Sequence, residues 1–194
     1  MGFREWKRRE SALPAAMAAV LMLAGCSGDS GTQEESAAAP SEETLAALIA
    51  GTDDLSVVSA TLKDAGLAQV FDGVAAYTLL APRDAAFDSL GEAGAALRSP
   101  EQRPAMVAVL RDHIVPGYLA PDDIAKAIEL DDDGKVAMKT MAGHTLTFAR
   151  DGGTITATSE DGATVRFAGD ALRASNGVAI PVDGLAVEVG APEG

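Results

Sequence analysis

Few side chains in this 194-residue chain could do covalent or acid–base chemistry: one cysteine, Cys26, and two histidines, His113 and His144. A thiol nucleophile needs a neighbouring base and an electropositive niche. Cys26 instead heads a Gly/Ser/Glu-rich stretch, so thiol catalysis is not expected, and a lone cysteine leaves no internal disulfide to hold the fold. His113 has the chemistry of a general base or metal ligand. Its position between a helical pattern and the apolar pair Ile114-Val115 favours instead an imidazole that satisfies buried backbone groups. His144 falls in a predicted turn and is expected to be exposed. Two histidines without HExxH spacing make no transition-metal site. Asp131-Asp132-Asp133-Gly134 lacks the alternating acids and distal Glu of a calcium loop and reads as a solvated turn. The chain has no GxSxG, no GxGxxG after a strand and no GK[ST] loop. This reading names no catalytic residue, no metal ligand and no cofactor.

The elements around Cys26 give it a different chemistry. Arg4, Lys7, Arg8 and Arg9 precede a run from Ser11 to Leu23 made almost wholly of Ala, Leu, Met and Val, and Leu23-Ala24-Gly25-Cys26 closes it. This is the layout of a secretory signal peptide, and the run is too short for a spanning helix, which needs about 20 apolar residues. The closing tetrapeptide resembles the lipobox of bacterial lipoprotein precursors. That resemblance implies cleavage before Cys26, a lipid thioether on its sulfur, and a membrane partner reached through that lipid. Residues 1–25 are then the signal peptide. The implied location is the bacterial cell envelope, on its periplasmic or cell-surface face.

Loss of residues 1–25 would remove four of the 15 basic and two of the 29 acidic residues, leaving a formal charge of −16. Such an acidic surface argues against nucleic acid as a partner. It also disfavours electrostatic adsorption to anionic headgroups, so attachment falls to the lipid. Aromatic residues make up 4% of the chain, low for a carbohydrate-stacking platform.

Residues 26–42 comprise the modified cysteine and a stretch without large apolar side chains, which reads as a flexible tether. Sixteen such residues would hold a domain roughly 20–25 Å from the lipid. Residues 43–189 have the length of one domain, and 190–194 read as a tail. Within the domain, helical spacing comes first. Leu45, Leu48 and Ile49 share a face, and Asp53 to Gly66 reads as an amphipathic helix with acidic capping residues and Gly66 as its stop. Tyr77 to Pro82 reads as a buried strand, Asp84 to Leu90 as a short helix, Ser99 to Arg111 as a helix opened by Pro100, and Ile114-Val115 as a strand. Helix Asp122 to Leu130 follows. The pattern then turns strand-like at 136–138, 145–149, 154–158, 164–168 and 178–189. Asp133-Gly134, Asp151-Gly152-Gly153 and Asp161-Gly162 read as hairpin turns. Helices ahead of strands predict an α+β domain with an antiparallel sheet.

Four of these segments, in order, resemble the fasciclin (FAS1) domain family. Tyr77-Thr78-Leu79-Leu80-Ala81-Pro82-Arg83-Asp84-Ala85-Ala86-Phe87-Asp88-Ser89-Leu90 is similar to its first conserved block, and Leu110-Arg111-Asp112-His113-Ile114-Val115-Pro116-Gly117 to its central Tyr-His block. Thr140 to Leu146 is similar to its small-residue turn, and Ala174-Ser175-Asn176-Gly177-Val178-Ala179-Ile180-Pro181-Val182-Asp183-Gly184-Leu185 to its second conserved block. The resemblance implies a FAS1-like fold, N-terminal helices followed by a mainly antiparallel sheet or wedge. It makes His113, Asn176 and Gly177 the family's structural motif residues. Two positions depart from the family. Asp112 stands where the central block carries Tyr, and Gly169-Asp170-Ala171-Leu172 lacks the Asp-Ile pair to which adhesion is assigned in some animal members.

The resemblance implies a non-catalytic adhesion or binding role toward a protein or glycan of the cell surface, matrix or envelope. Two other classes stay open: a small-ligand carrier or enzyme on the same fold, and a structural envelope spacer. An apolar pocket with a convergent polar pair would favour the carrier or enzyme. An exposed apolar patch of several hundred Å² would favour binding over the spacer.

Overall fold

Apolar residues at helical spacing, each helix too short to be stable alone, drive the first part of the chain onto a shared core. The computed structural model describes residues 40–189, and α1 (Leu45–Ala50) opens its regular structure. The Thr44 hydroxyl caps α1 by accepting the Ala47 N–H at 3.3 Å. A single 3₁₀ turn, Asp53–Leu55, leads into α2 (Ser56–Asp64), which ends just before Gly66 in the left-handed region, φ +67°. The start of α2 is capped from a distance: the Asp84 carboxylate accepts the backbone N–H of Val57 at 2.9 Å and of Ser56 at 3.3 Å. After α3 (Ala68–Phe71) come β1 (Tyr77–Pro82), α4 (Asp84–Asp88), α5 (Glu92–Leu97), a second 3₁₀ turn at Pro100–Gln102, and α6 (Arg103–Asp112). Then follow β2 (Ile114–Pro116), α7 (Pro121–Leu130), β3 (Lys135–Lys139), β4 (Thr145–Asp151), β5 (Thr154–Ser159), β6 (Thr164–Arg166), β7 (Leu172–Ala174) and β8 (Gly177–Val182).

The strands form two four-stranded sheets, ordered β2-β1-β8-β7 and β3-β4-β5-β6. Pairing is antiparallel throughout except between β1 and β8, which run parallel from Tyr77↔Gly177 to Pro82↔Val182. The first sheet is covered on both faces, and the alternation of β1 and β8 serves two cores. Leu79, Ala81 and Ala179 join Leu45, Ile49, Leu55, Val58, Phe87 and Leu110 on the helical side. Leu80, Val178, Ile180 and Val182 join Ile124, Ile128, Leu146, Phe148 and Val165 between the sheets. A central strand buried on both faces reads as a continuous apolar run, as Leu79-Leu80-Ala81 does. Burial of Leu146 and Phe148 alternates with the more open Thr145 and Thr147, so the second sheet turns one face to solvent.

The α+β class stands, with helices and mainly antiparallel sheets. Local differences have local causes. Asp133-Gly134 links α7 to β3 and is not a hairpin turn; Thr140–His144 connects the β3–β4 hairpin instead. The strand predicted over 178–189 ends at Val182, where Asp183-Gly184 turns the chain, and β6 ends at Arg166. Three short elements, α3, α5 and β7, have no counterpart among the elements predicted from sequence.

Candidate functional site

The C-terminus of α6 brings the two histidines and one unexpected acid into a single neighbourhood. Met106 and Leu110 bury one face of α6, and the helix ends by placing Asp112 and His113 on different partners.

His113 has no exposed surface. Its Nε2 accepts the backbone N–H of Ala186 at 2.8 Å, which leaves Nδ1 as the protonated nitrogen, donating to the Val109 carbonyl at 2.7 Å. Burial pushes its pKa down from 6.5 to about 4, against smaller opposing effects from the Val109 bond and the nearby Asp112 charge. Both nitrogens of the neutral ring are therefore engaged with backbone groups.

Asn176 is used in the same manner. Its Oδ1 accepts the Leu45 N–H at 2.8 Å, while Nδ2 donates to the Gly73 carbonyl at 3.0 Å and to the Phe71 carbonyl. One amide thus ties the start of α1 to the end of α3. Gly177 follows at the head of β8, where a Cβ would stand 2.5 Å from the Tyr77 carbonyl oxygen and 2.9 Å from Leu45 Cδ2. Only a residue without a side chain lets β8 lie this close to β1. Cys26 lies outside the described residues.

The pairing that the sequence did not reveal is Asp112 with His144. Asp112 is nine-tenths buried at the last position of α6. Its Oδ1 accepts from His144 Nδ1 at 2.6 Å and from the Thr140 hydroxyl at 3.3 Å. A carboxylate at a helix C-terminus faces the negative end of the macrodipole, and the imidazole from the β3–β4 turn offsets this by donating a hydrogen bond to it. The bond to Asp112 raises the pKa of His144 above its ordinary value of 6.5, and Glu160 and Asp161 add smaller contributions. His144, expected to be simply exposed, thus has a buried partner. The available signal was Asp112 itself, an acid where a helix end disfavours one.

The pair borders a cavity of about 190 Å³. Thr140, Thr145, Ser159, Glu160 and Asp161 bring polar groups to it, and Leu146, Ala186 and Val187 apolar ones. Asp161 also clasps the segment after β8, accepting the Glu188 N–H at 2.8 Å, and its pKa is lowered by the Ser159 hydroxyl and then by that N–H. Among the described residues no group of three or more His, Cys, Asp or Glu could hold a metal ion. The convergent pair is present, but the cavity is smaller than the several hundred Å³ of most enzyme pockets. A larger hollow of about 290 Å³ lies between α2 and the α5–α6 connection, where Arg98 and Arg103 pair with Asp88 and Asp64.

Comparison with known proteins decides the family. The Fasciclin domain model matches residues 53–187. The chain belongs to the fasciclin family. It is 32% identical over 114 residues to Protein sll1483 of Synechocystis sp., and the match spans 58% of each chain. Among solved structures it is similar to a FAS1 domain pair from the insect cell adhesion molecule Fasciclin I, with a TM-score of 0.64 at 14% identity, over 75% of this chain and 51% of that one. At that identity the likeness shows the fold alone. No helix among the described residues is long and apolar enough to cross a membrane.

Proposed function

We propose that this protein is exported, lipid-anchored through Cys26 in the bacterial cell envelope, and presents its fasciclin domain as a non-catalytic adhesion or binding module toward a protein or glycan partner. The observation that carries the binding half is family membership over residues 53–187, since fasciclin domains are known in adhesion proteins and are generally non-catalytic. The internal chemistry agrees: His113 and Asn176 commit their hydrogen-bonding capacity to the backbone of their own domain. The anchoring half rests on the lipobox and the tether that follows it. Exposed large apolar side chains among the described residues are Val74 and Leu130, single residues that make no case for a broad apolar docking face.

Labelled palmitate tests the anchor. Wild type expressed in a bacterial host incorporates the label and sediments with membranes, whereas Cys26→Ser remains as unlabelled precursor; equal labelling overturns it. The lipidated protein in liposomes, incubated with envelope fractions, tests the binding half. Retention of one defined protein or glycan species supports a module, and retention of none leaves the spacer reading. The cavity beside His144 and Asp112 favours a second reading, a carrier of a small ligand.

A further inference from the structure

Four strands end the two sheets, and three of them are closed from within the domain. On β7 the Arg173 carbonyl accepts the Ser41 N–H at 2.8 Å. On β2 the Ile114 carbonyl accepts the Met141 N–H at 2.7 Å, and Pro116 has no N–H to offer. On β6 the Arg166 N–H reaches the Asp183 carboxylate at 2.7 Å, and the Arg166 carbonyl accepts the Asp183 N–H at 3.1 Å. The remaining edge, β3, is open. The Thr140 N–H bonds to the His144 carbonyl at 2.8 Å. That bond fixes Val136 and Met138 as the residues that exchange hydrogen bonds with β4, and turns the backbone of Ala137 and Lys139 outward. The outward groups of these two residues have no partner among the described residues, and Ala137 is exposed.

The side chains along this edge are selective. Lys135, Ala137 and Lys139 share the solvent face of β3, and their neighbours across on β4, Ala149, Thr147 and Thr145, carry no charge. Six arginines are held in ion pairs with Asp or Glu among the described residues, whereas neither lysine forms one there. A second copy pairing antiparallel about Ala137 would set lysine opposite lysine at both ends, and like charges directly opposite are destabilising. The edge therefore repels its own kind, and the same two ammoniums admit an acidic strand. On the inner face Val136 and Met138 stay half-buried against the core between the sheets. Apolar side chains at alternate positions of an added strand would extend that core.

We propose that β3 is the docking edge for an extended acidic segment of a protein partner, which adds to the second sheet as an antiparallel fifth strand. Main-chain bonds to Ala137 and Lys139 hold the segment. Two carboxylates four residues apart meet Lys139 and Lys135, and the apolar residues between them lie beside Val136 and Met138. The inference rests on the binding reading above and narrows its partner to a protein carrying the pattern acidic, apolar, any, apolar, acidic.

The test is a titration of the isotopically labelled full chain with the acetylated and amidated peptide Ser-Glu-Val-Thr-Val-Glu-Ser, followed by amide NMR. Saturable shifts centred on Ala137 and Lys139, with slowed hydrogen exchange at both amides, are expected. Replacing both Glu of the peptide by Lys weakens binding roughly tenfold. N-methylation of its central Thr removes the donor to the Ala137 carbonyl and abolishes the shifts. Lys135→Glu/Lys139→Glu reverses the preference between the two peptides. No saturable shift with the acidic peptide overturns the docking edge. Equal affinity for both peptides overturns its charge selectivity, and shifts that survive N-methylation overturn strand addition. The double variant also separates this proposal from the binding reading. If it retains on liposomes the envelope species that wild type retains, the edge is not the docking site and the domain is still a binding module; loss of that species with an intact spectrum supports the edge.

Discussion

The Nε2 of His113 accepts the backbone N–H of Ala186 at 2.8 Å, fastening the end of α6 to the segment after β8 across 73 residues of chain. The bond exists only while the ring is neutral, so protonation and the attachment of this segment compete for one nitrogen.

That competition sets a pH dependence. The folded-state pKa of His113, about 4, lies below the ordinary 6.5, so the unfolded chain takes up the extra proton first. Its contribution is complete above pH 6.5 and declines as pH falls toward 4, by up to about 3 kcal/mol. His113→Ala lowers stability at pH 7.5 by about 1–3 kcal/mol, since Val109 and Ala186 lose their partner, and removes this share of the acid slope. Urea midpoints from pH 7.5 to 4.5 for both proteins measure it; parallel slopes contradict the assignment.

The Asp112–His144 pair carries the opposite sign. The pKa of His144 is raised, so its stabilisation is full below pH 6.5 and is lost as pH rises through the folded value. The imidazole resonances of His144 are expected to titrate with a midpoint above 6.5 in wild type and to move back toward it in Asp112→Asn. An unchanged midpoint means that the bond does not persist in solution.

Gly177→Ala measures how closely β1 and β8 approach. A Cβ 2.5 Å from the Tyr77 carbonyl oxygen cannot be accommodated without moving backbone, so the loss is expected to reach about 1–3 kcal/mol or more. Gly51→Ala serves as the unstrained control, because its φ is −85° and the nearest atom to the added methyl, the Ala47 carbonyl oxygen, lies at an ordinary contact distance of 3.6 Å. A thermal melt in which Gly177→Ala loses no more than that control refutes the close packing.

Truncation locates where the domain begins. A chain lacking residues 1–40 keeps the Ser41 N–H bond to the Arg173 carbonyl and the Leu45–Asn176 bond, and is expected to unfold at the parent midpoint. A chain starting at Lys63 also loses Leu45, Ile49, Leu55, Val58 and Leu62 from the core. At about 1.5–3 kcal/mol each, this exhausts a typical stability of about 5–15 kcal/mol. Cooperative melting of the shorter chain at the parent temperature counts against α1 and α2 as core elements.

Elements with strong local signals were legible from residues alone: Tyr77–Pro82 by its apolar run between breakers, α7 by the helical stretch Asp122 to Leu130, and β4 and β5 by alternation around Asp151-Gly152-Gly153. The missed α5 reads Glu-Ala-Gly-Ala-Ala-Leu, where small residues leave no apolar periodicity, and β7 is three residues long. Its strand character comes from its neighbour β8. Asp133-Gly134 has a hairpin signature, but α7 precedes it and there is no strand to turn back from. The parallel register of β1 and β8 and the pairing of Asp112 with His144, 32 residues apart, depend on which segments meet in space. Such pairings have no local signature. Asp112 was visible only as a residue out of place.

The parallel β1–β8 pair joins strands that are 100 residues apart in sequence. The inner edge of β1 therefore has no partner until nearly the whole domain is available, and Asn176, which ties α1 to α3, arrives with the same segment. Closing so long a loop is slow relative to forming the helices and the β3–β6 hairpins. Folding is thus timed from the C-terminal end. A ribosome-bound chain lacking its final strand cannot complete the first sheet, whatever its helices have already formed.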